Sequence, residues 1–426
     1  MKIGHKALYK DLIKKINRIT AYSKSNSLYY KKLFRGINFP GKVASLDEFE
    51  SIPITFRKDL AERNEEFIAV PKDMWADIVT TTGTSGRPIF FPFTKRDVIN
   101  NSYFIAKKFS VFGLRKDDVA YITAPVERSM WIGGLSVWLG CLKIGACSLR
   151  AGNVGADKHL EFIKRFNPTI IFGLPSFILR LGEELRSRIS RRTYKPRLIV
   201  TFGENIMQKD LSRNILGKSV EKIWGAKIIS GYGSTEASPG FECIFQSGHH
   251  ILPEMVYVEI VDPDTLKVLG PGKEGLVVIT HFGREGLPLI RYANGDISFL
   301  VTRKCKCGRV APRLGPILGR IDEKIKVKGV NILPNELEGF VLNTPFIRHY
   351  LIELFTDRNL CDNIKLYISF KGKLSGAEKM NKMNYLRDKL RETFGIRIAT
   401  EEIAGHRALE KTNIKERRII DKRAKR

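Results

Sequence analysis

No apolar run at the N-terminus has the length of an export signal; the first fifteen residues, MKIGHKALYKDLIKK, place charge at nearly every turn. The stretch that most resembles a membrane span, residues 130–149, is interrupted by Lys143 and by Gly133, Gly134, Gly140, Gly145 and Ser148, a pattern suited to a buried helix between tight turns. These absences lead us to expect a cytoplasmic chain with no membrane span. Internal repeats and low-complexity tracts are lacking as well. Cysteine is sparse, six in 426 residues, and without an export signal the thiols are expected to stay reduced rather than to form a disulfide framework. Acidic residues are also short, 45 against 73 basic ones, leaving a formal charge of +28. Such a surplus suits a polyanionic partner (nucleic acid, nucleotide, coenzyme A or an acidic carrier protein) or a solvated lysine-rich surface. Its densest patch is 411–426, KTNIKERRIIDKRAKR, with eight basic side chains.

What is present is an ordered globular chain: 43% of residues are hydrophobic, and the length calls for two or three lobes rather than one core. The first half alternates short apolar runs with helix-like stretches: VAYITAP near residue 120, a helix over 157–166, TIIFGLP, a helix running to 190, then RLIVTFGE. That alternation predicts parallel strands in an α/β sheet. From about Tyr257, strands follow one another across Pro, Gly and Asp turns, predicting a β-rich lobe. Past GPILGRIDEKIKVKGVNILP the remainder reads as a small α+β domain, with helices over 335–342 and 381–394 and strands over 350–355, 364–370 and around Ile396.

Chemistry concentrates in loops. After the strand-like DIVTT comes Thr82-Gly83-Thr84-Ser85-Gly86-Arg87-Pro88, rich in hydroxyls and glycine, where backbone N–H groups can approach phosphate oxygens. It lacks the Gly-Lys-Ser/Thr ending of a P-loop. Four more segments follow: Phe202-Gly203-Glu204, then Gly231-Tyr232-Gly233-Ser234-Thr235-Glu236, then Arg291 to Asp296, then Gly319-Arg320-Ile321-Asp322. Tyr232 offers a face for a purine, Thr235 a hydroxyl for an α-phosphate, Glu236 a carboxylate for Mg²⁺ and Asp296 a bidentate acceptor for ribose hydroxyls.

In this order and at these separations the segments resemble the adenylate-forming superfamily of acyl-CoA synthetases, adenylation domains and luciferases, and within it the phenylacetate–CoA ligase branch. Gly86-Arg87-Pro88, the run Pro288 to Asp296 and Cys305-Lys306-Cys307-Gly308-Arg309 carry that narrower resemblance. It implies an α/β fold with a large N-terminal adenylation domain over 1–319, built of parallel α/β subdomains plus a β-rich lobe, and a small mobile α+β C-terminal domain over 320–426. It implies ATP-dependent activation of a small, aromatic carboxylic acid to acyl-AMP, then transfer to the thiol of coenzyme A; acceptors left open are a carrier protein, an amine, or none. The lysine expected to serve catalysis is Lys415, in Lys415-Glu416-Arg417-Arg418-Ile419-Ile420-Asp421; Ile414 stands where relatives often have Gly, so Lys411 stays a rival. Nucleotide binding falls to Thr82, Gly83, Thr84, Ser85, Gly86, Gly203, Glu204, Gly231, Tyr232, Gly233, Ser234, Asp296 and Arg320, with Thr235 and Glu236 at the phosphates and Mg²⁺. Asp322 corresponds to the hinge of the small domain, and relatives are commonly homodimers. Trp131, Ile132 and Gly133 would line the acyl pocket, where Trp131 would stack on an aromatic ring or serve as a core side chain. No specific nucleic-acid partner is implied, since aromatic and basic residues do not interleave as in an RNA-binding module.

Cys305-Lys306-Cys307 suits two arms of a metal clamp, and Cys243 with His249 or His250 supplies the rest of a Cys₃His set, the composition of a closed zinc site. The resemblance favours His250. Cys141, Cys147 and Cys361, in apolar surroundings, are read as core.

Overall fold

A computed structural model describes the chain apart from residues 1, 82–87, 125–131, 153, 190–191, 322–324, 328–329, 333, 358–361, 373, 404–418 and 423–426. Two compact units divide it, Met1–Ile317 and Leu318–Arg426.

The first unit is organised by an eight-stranded sheet. Five strands are mutually parallel, in the spatial order Cys147–Arg150, Val119–Ile122, Ile170–Gly173, Leu198–Phe202, Lys227–Tyr232. Gly240–Phe241, His249–Ile251 and Arg313–Leu314 extend it antiparallel. Successive side chains of a strand point to opposite faces, and both faces here are covered. Ala120, Ile122, Ile170, Phe172, Leu198, Val200 and Ile229 pack with Phe109 and Phe112 of the helix Lys95–Phe112 and with Val137 and Cys141 of the helix Ile132–Ile144. Their neighbours Tyr121, Ile171, Ile199 and Ile228 face the other way, onto Leu160, Ile178, Leu181 and Val220 of Ala156–Phe166, Pro175–Leu185 and Ile215–Trp224. Double coverage is why the inner strands Val119–Ile122, Ile170–Gly173 and Leu198–Phe202 read as nearly unbroken apolar runs rather than alternating ones.

The β-rich lobe holds Thr55–Phe56, Tyr292–Ser298, Gly275–His281 and Val256–Val261 side by side. A hairpin of Trp75–Thr80 and Phe90–Thr94 frames residues 82–87. A long N-terminal helix, Lys2–Asn26, packs Ile16 and Ile19 into an aromatic core with Tyr30, Phe34, Phe67 and Tyr292.

The second unit is a sheet in the order Ala399–Glu402, Asp362–Phe370, Ile347–Thr356, Ile419–Asp421, with the helices Pro334–Leu342 and Gly376–Phe394. The latter starts five residues before its expected position. Ser375 caps it reciprocally with Glu378: the Glu378 N–H donates to the serine hydroxyl at 3.3 Å, and the Ser375 N–H donates to the carboxylate at 2.8 Å. It ends at Gly395, left-handed at φ 69°. The connection therefore consumes Ile396 and Ile398, both buried, and the strand expected around Ile396 begins at Ala399. The helix expected to reach residue 190 stops at Leu185. Cys141 is buried as expected. Cys147 is not core: it lies on the sheet's outer strand, which has a neighbour on one side only, and is exposed. Cys361 lies outside the described residues. Among the described residues no helix is long and apolar enough to cross a membrane.

Candidate functional site

The parallel strands Leu198–Phe202 and Lys227–Tyr232 end side by side, Phe202 opposite Gly231. Open α/β sheets bind ligands outside the carboxyl ends of their strands, and a cavity of about 180 Å³ opens there, lined by Phe202, Gly203 and the run from Gly231 to Thr235. Glycine at 231 is a packing requirement, since a Cβ would meet the Phe241 ring at 2.1 Å; at 233 a Cβ would meet the Ser238 hydroxyl at 2.6 Å. Gly203 turns the chain at φ 84°. Next to it, the Glu204 carboxylate accepts from the Ser176 N–H at 2.9 Å and hydroxyl at 2.7 Å, capping the helix Pro175–Leu185.

Along the cavity's edge, residues remote in sequence meet. The Tyr232 hydroxyl donates to Asp296 Oδ2 at 2.6 Å, and Asn294 Nδ2 donates to both, at 3.0 and 2.8 Å. Burial and the Asp296 carboxylate hold the Tyr232 phenol well above its usual range, so it stays a donor. Thr235 donates to the Thr80 carbonyl at 3.4 Å, which brings its hydroxyl beside the strand that leads into 82–87. Glu236 is buried; its Oε1 accepts from the Tyr292 hydroxyl at 3.2 Å and pairs with Arg57. Arg284 donates to the carbonyls of Thr235 at 3.3 Å and Glu236 at 2.9 Å, its guanidinium 4.9 Å from the centre of the Phe93 ring. Tyr232 and Thr235 thus line the cavity, with Asp296 bound to the first and Glu236 next to the second in the chain.

Ile132 and Gly133 line the same cavity. Arg320 lies in the second unit, in the strand Gly319–Arg320. Thr82, Gly83, Thr84, Ser85, Gly86, Trp131, Asp322, Lys411 and Lys415 lie outside the described residues.

Four residues here carried no motif. Arg57 and Arg284 steady Glu236 and its backbone, while Lys108 and His281 line the cavity. Lys108 has one sequence signal: it sits at helical spacing from Phe104 and Ile105 on a face that is otherwise apolar towards the sheet.

A second cluster joins Cys243, His250, Cys305 and Cys307, whose ligand atoms all lie within 4.8 Å of one another. The Cys243 and Cys305 sulfurs are 3.5 Å apart, and Cys307 Sγ is 3.5 Å from His250 Nε2. Thiolates on a tetrahedral zinc at about 2.3 Å would be about 3.8 Å apart, so this donor set fits the ion with small adjustment. His249 does not compete: its ring nitrogens face the Ser230 hydroxyl at 2.9 Å and the Gly315 carbonyl at 3.2 Å. Burial and nearby Arg313 lower His250 to about 4, leaving the imidazole neutral as a ligand requires.

Comparison with known proteins follows the same division of the chain. A family profile described as AMP-binding enzyme matches residues 37–283, and one described as AMP-binding enzyme C-terminal domain matches 329–423. The phenylacetate–coenzyme A ligase of Thermus thermophilus is 30% identical over 347 residues, covering 79% of this chain and 76% of the relative. Its namesake from Aromatoleum evansii is 27% identical over 413 residues, covering 94% and 91%. Among solved structures, 2-hydroxyisobutyryl-CoA ligase in its postadenylation state superimposes with a TM-score of 0.84 at 21% identity, covering 97% of this chain and 89% of the other.

Proposed function

Since the chain belongs to the AMP-binding enzyme family and is an AMP-forming ligase, we propose that it activates a small aromatic carboxylic acid with ATP and passes the acyl group to coenzyme A. The observation that carries this reading is that Tyr232, hydrogen-bonded to Asp296, and Thr235, followed by the buried Glu236, line a cavity that Phe93, Phe104, Phe202 and Phe241 also line. In the first step an oxygen of the acid's carboxylate attacks the α-phosphorus of ATP; the new O–P bond gives acyl-AMP, and pyrophosphate leaves with the electrons of the broken P–O bond. In the second, the thiolate of coenzyme A attacks the acyl carbon and AMP departs.

Both reactants of the first step are anions, so alignment and charge neutralisation carry the rate. Asp296, steadied by Tyr232 and Asn294, accepts from the ribose hydroxyls. Glu236 would hold Mg²⁺, which supplies positive charge at the phosphates. Arg57 and Tyr292 keep that buried carboxylate in place. Thr235, with residues 82–86, would donate to phosphate oxygens, Lys415 would supply the closing cation, and the small unit would turn about Asp322 between the two steps.

ATP–pyrophosphate exchange over aryl, arylacetic, cinnamic and fatty acids tests the reading. Arylacetic or benzoic acids should support exchange, Lys415→Ala should abolish it, and AMP should accumulate only with coenzyme A present. Full exchange in the Lys415→Ala protein removes that residue's role, and AMP formation indifferent to coenzyme A points to another acceptor, a carrier protein among them. We further assign Cys243, His250, Cys305 and Cys307 to a structural zinc. Elemental analysis should give one zinc per chain, lost in Cys305→Ser; protein purified without chelators and free of zinc would end that assignment.

A further inference from the structure

Lys108 stands out within the acyl cavity. Its side chain is on the face of Lys95–Phe112 that also carries Asn101, Phe104 and Ile105, all cavity-lining, and the residue is 2% exposed. Among the described residues its side-chain amine has no carboxylate partner and no hydrogen bond. Asp97, on the same helix, is about 16 Å away between backbone positions by helical rise, and no ion pair joins the two side chains. That carboxylate is also engaged, accepting from the backbone N–H groups of Thr94, Glu285 and Gly286 at 3.2, 2.7 and 2.8 Å. Arg284, a cation that acts on Lys108, is committed to the carbonyls of Thr235 and Glu236.

His281 adds a second donor to the same wall. Burial with Arg284 and Lys108 nearby keeps its imidazole neutral, and Nδ1 accepts from the Gly283 N–H at 3.2 Å. The ring proton is therefore on Nε2. An amine and an imidazole N–H that line a cavity without a protein acceptor are donors that an oxygen of the bound acid can meet. Neither hydrogen-bonds to Thr235, Glu236 or Asp296, the groups at the nucleotide edge.

We propose that the acid taken by this cavity carries a second oxygen acceptor besides the carboxylate that is activated, a hydroxyl or a further carboxylate, and that Lys108 with His281 selects it. The proposal rests on the adenylation reading above and narrows it: a purely hydrocarbon acid such as phenylacetate would leave both donors unmet. A site built to meet a polar group discriminates far more strongly than one that counts methylenes.

The test compares matched acids on the full chain and on Lys108→Met, which keeps the side chain's length without its charge. Phenylacetate, 4-hydroxyphenylacetate and 4-carboxyphenylacetate form one series, and butyrate, 4-hydroxybutyrate and glutarate the other. Pyrophosphate exchange reads turnover, and calorimetry reads binding of each acid independently of turnover. In the unaltered protein at least one substituted acid should be favoured over its parent by about 100-fold or more in both readings, and Lys108→Met should bring that ratio to within about tenfold by improving the parent and weakening the substituted acid. The hydroxyl and carboxylate arms tell which acceptor is taken. Equal or weaker binding of every substituted acid overturns the proposal, as does a Lys108→Met protein that loses activity equally with all acids, which would place Lys108 on the activated carboxylate. Tight, Lys108-dependent binding of a substituted acid without exchange would sink the adenylation reading and leave the specificity assignment standing.

Discussion

Two kinds of buried cation occupy the first unit. Arg213, beneath the antiparallel end of the large sheet, donates to the Glu242 carboxylate at 2.6 Å, and Glu242 also accepts from the Ser230 N–H at 2.9 Å. Arg291 is likewise clamped on Glu259 at 2.9 Å and reaches the Ile52 carbonyl at 2.5 Å. Lys108 is as deeply buried and meets no anion among the described residues. A paired charge is part of the architecture, because its desolvation is offset by a fixed neighbour. An unpaired one lining a cavity is a cost that a ligand can remove, and this separates structural from recognition charges in a chain with 73 basic residues.

The sharpest way to break the contrast is to orphan a paired charge. Arg213→Met leaves Glu242, 0% exposed, without its cation, and should cost about 3–5 kcal/mol in chemical denaturation, most of it recovered in Arg213→Met/Glu242→Leu. A double variant as unstable as the single one would mean that packing, and not charge, holds that corner.

The opposite sign is expected at Lys108. Burial and the Arg284 charge lower its pKa from 10.5 to about 7, with His281 the other titratable group at hand. A cation lowered in the folded state binds its proton more readily when unfolded, so folding is penalised below pH 10.5, and the penalty grows until about pH 7, where it levels off. Lys108→Met should therefore stabilise the acid-free protein by a few kcal/mol at pH 7 and by progressively less towards pH 10. A pH-independent difference would show that Lys108 has a partner.

Smaller effects should follow exposure. Arg57 is 24% exposed at its side chain against a Glu236 that is 3% exposed, so Arg57→Met should cost about 1–2 kcal/mol by the same denaturation. At the solvated extreme, the Arg188–Asp157 pair, 42% and 87% exposed, should be worth under about 0.5 kcal/mol, measured with Asp157→Asn.

Legibility in the sequence followed the same line. Strands such as Ile170–Gly173 and Leu198–Phe202 were readable because both faces are buried and nearly every position is apolar, Thr201 being the exception. Tyr232, Thr235 and Glu236 were readable because glycines and hydroxyls in set order mark a loop at a strand end, whereas Asp296 lies within the strand Tyr292–Ser298 and meets Tyr232 there. The cysteine–histidine set was legible from composition, while the choice of His250 over His249 needed the partners that occupy His249. Arg57, 179 residues from Glu236, could not be paired with it by any local rule. Cys147 looked like core because its neighbours are apolar; only the strand order shows that it lies on an edge.

By itself the sequence determined which segments become strands and helices, because period, capping and glycine conformation act over a few residues. Tertiary structure alone decided which charges are paired, which cysteine is exposed, and that a lysine of an amphipathic helix faces the cavity. Those outcomes depend on desolvation and on neighbours from distant segments, and neither is a property of local sequence.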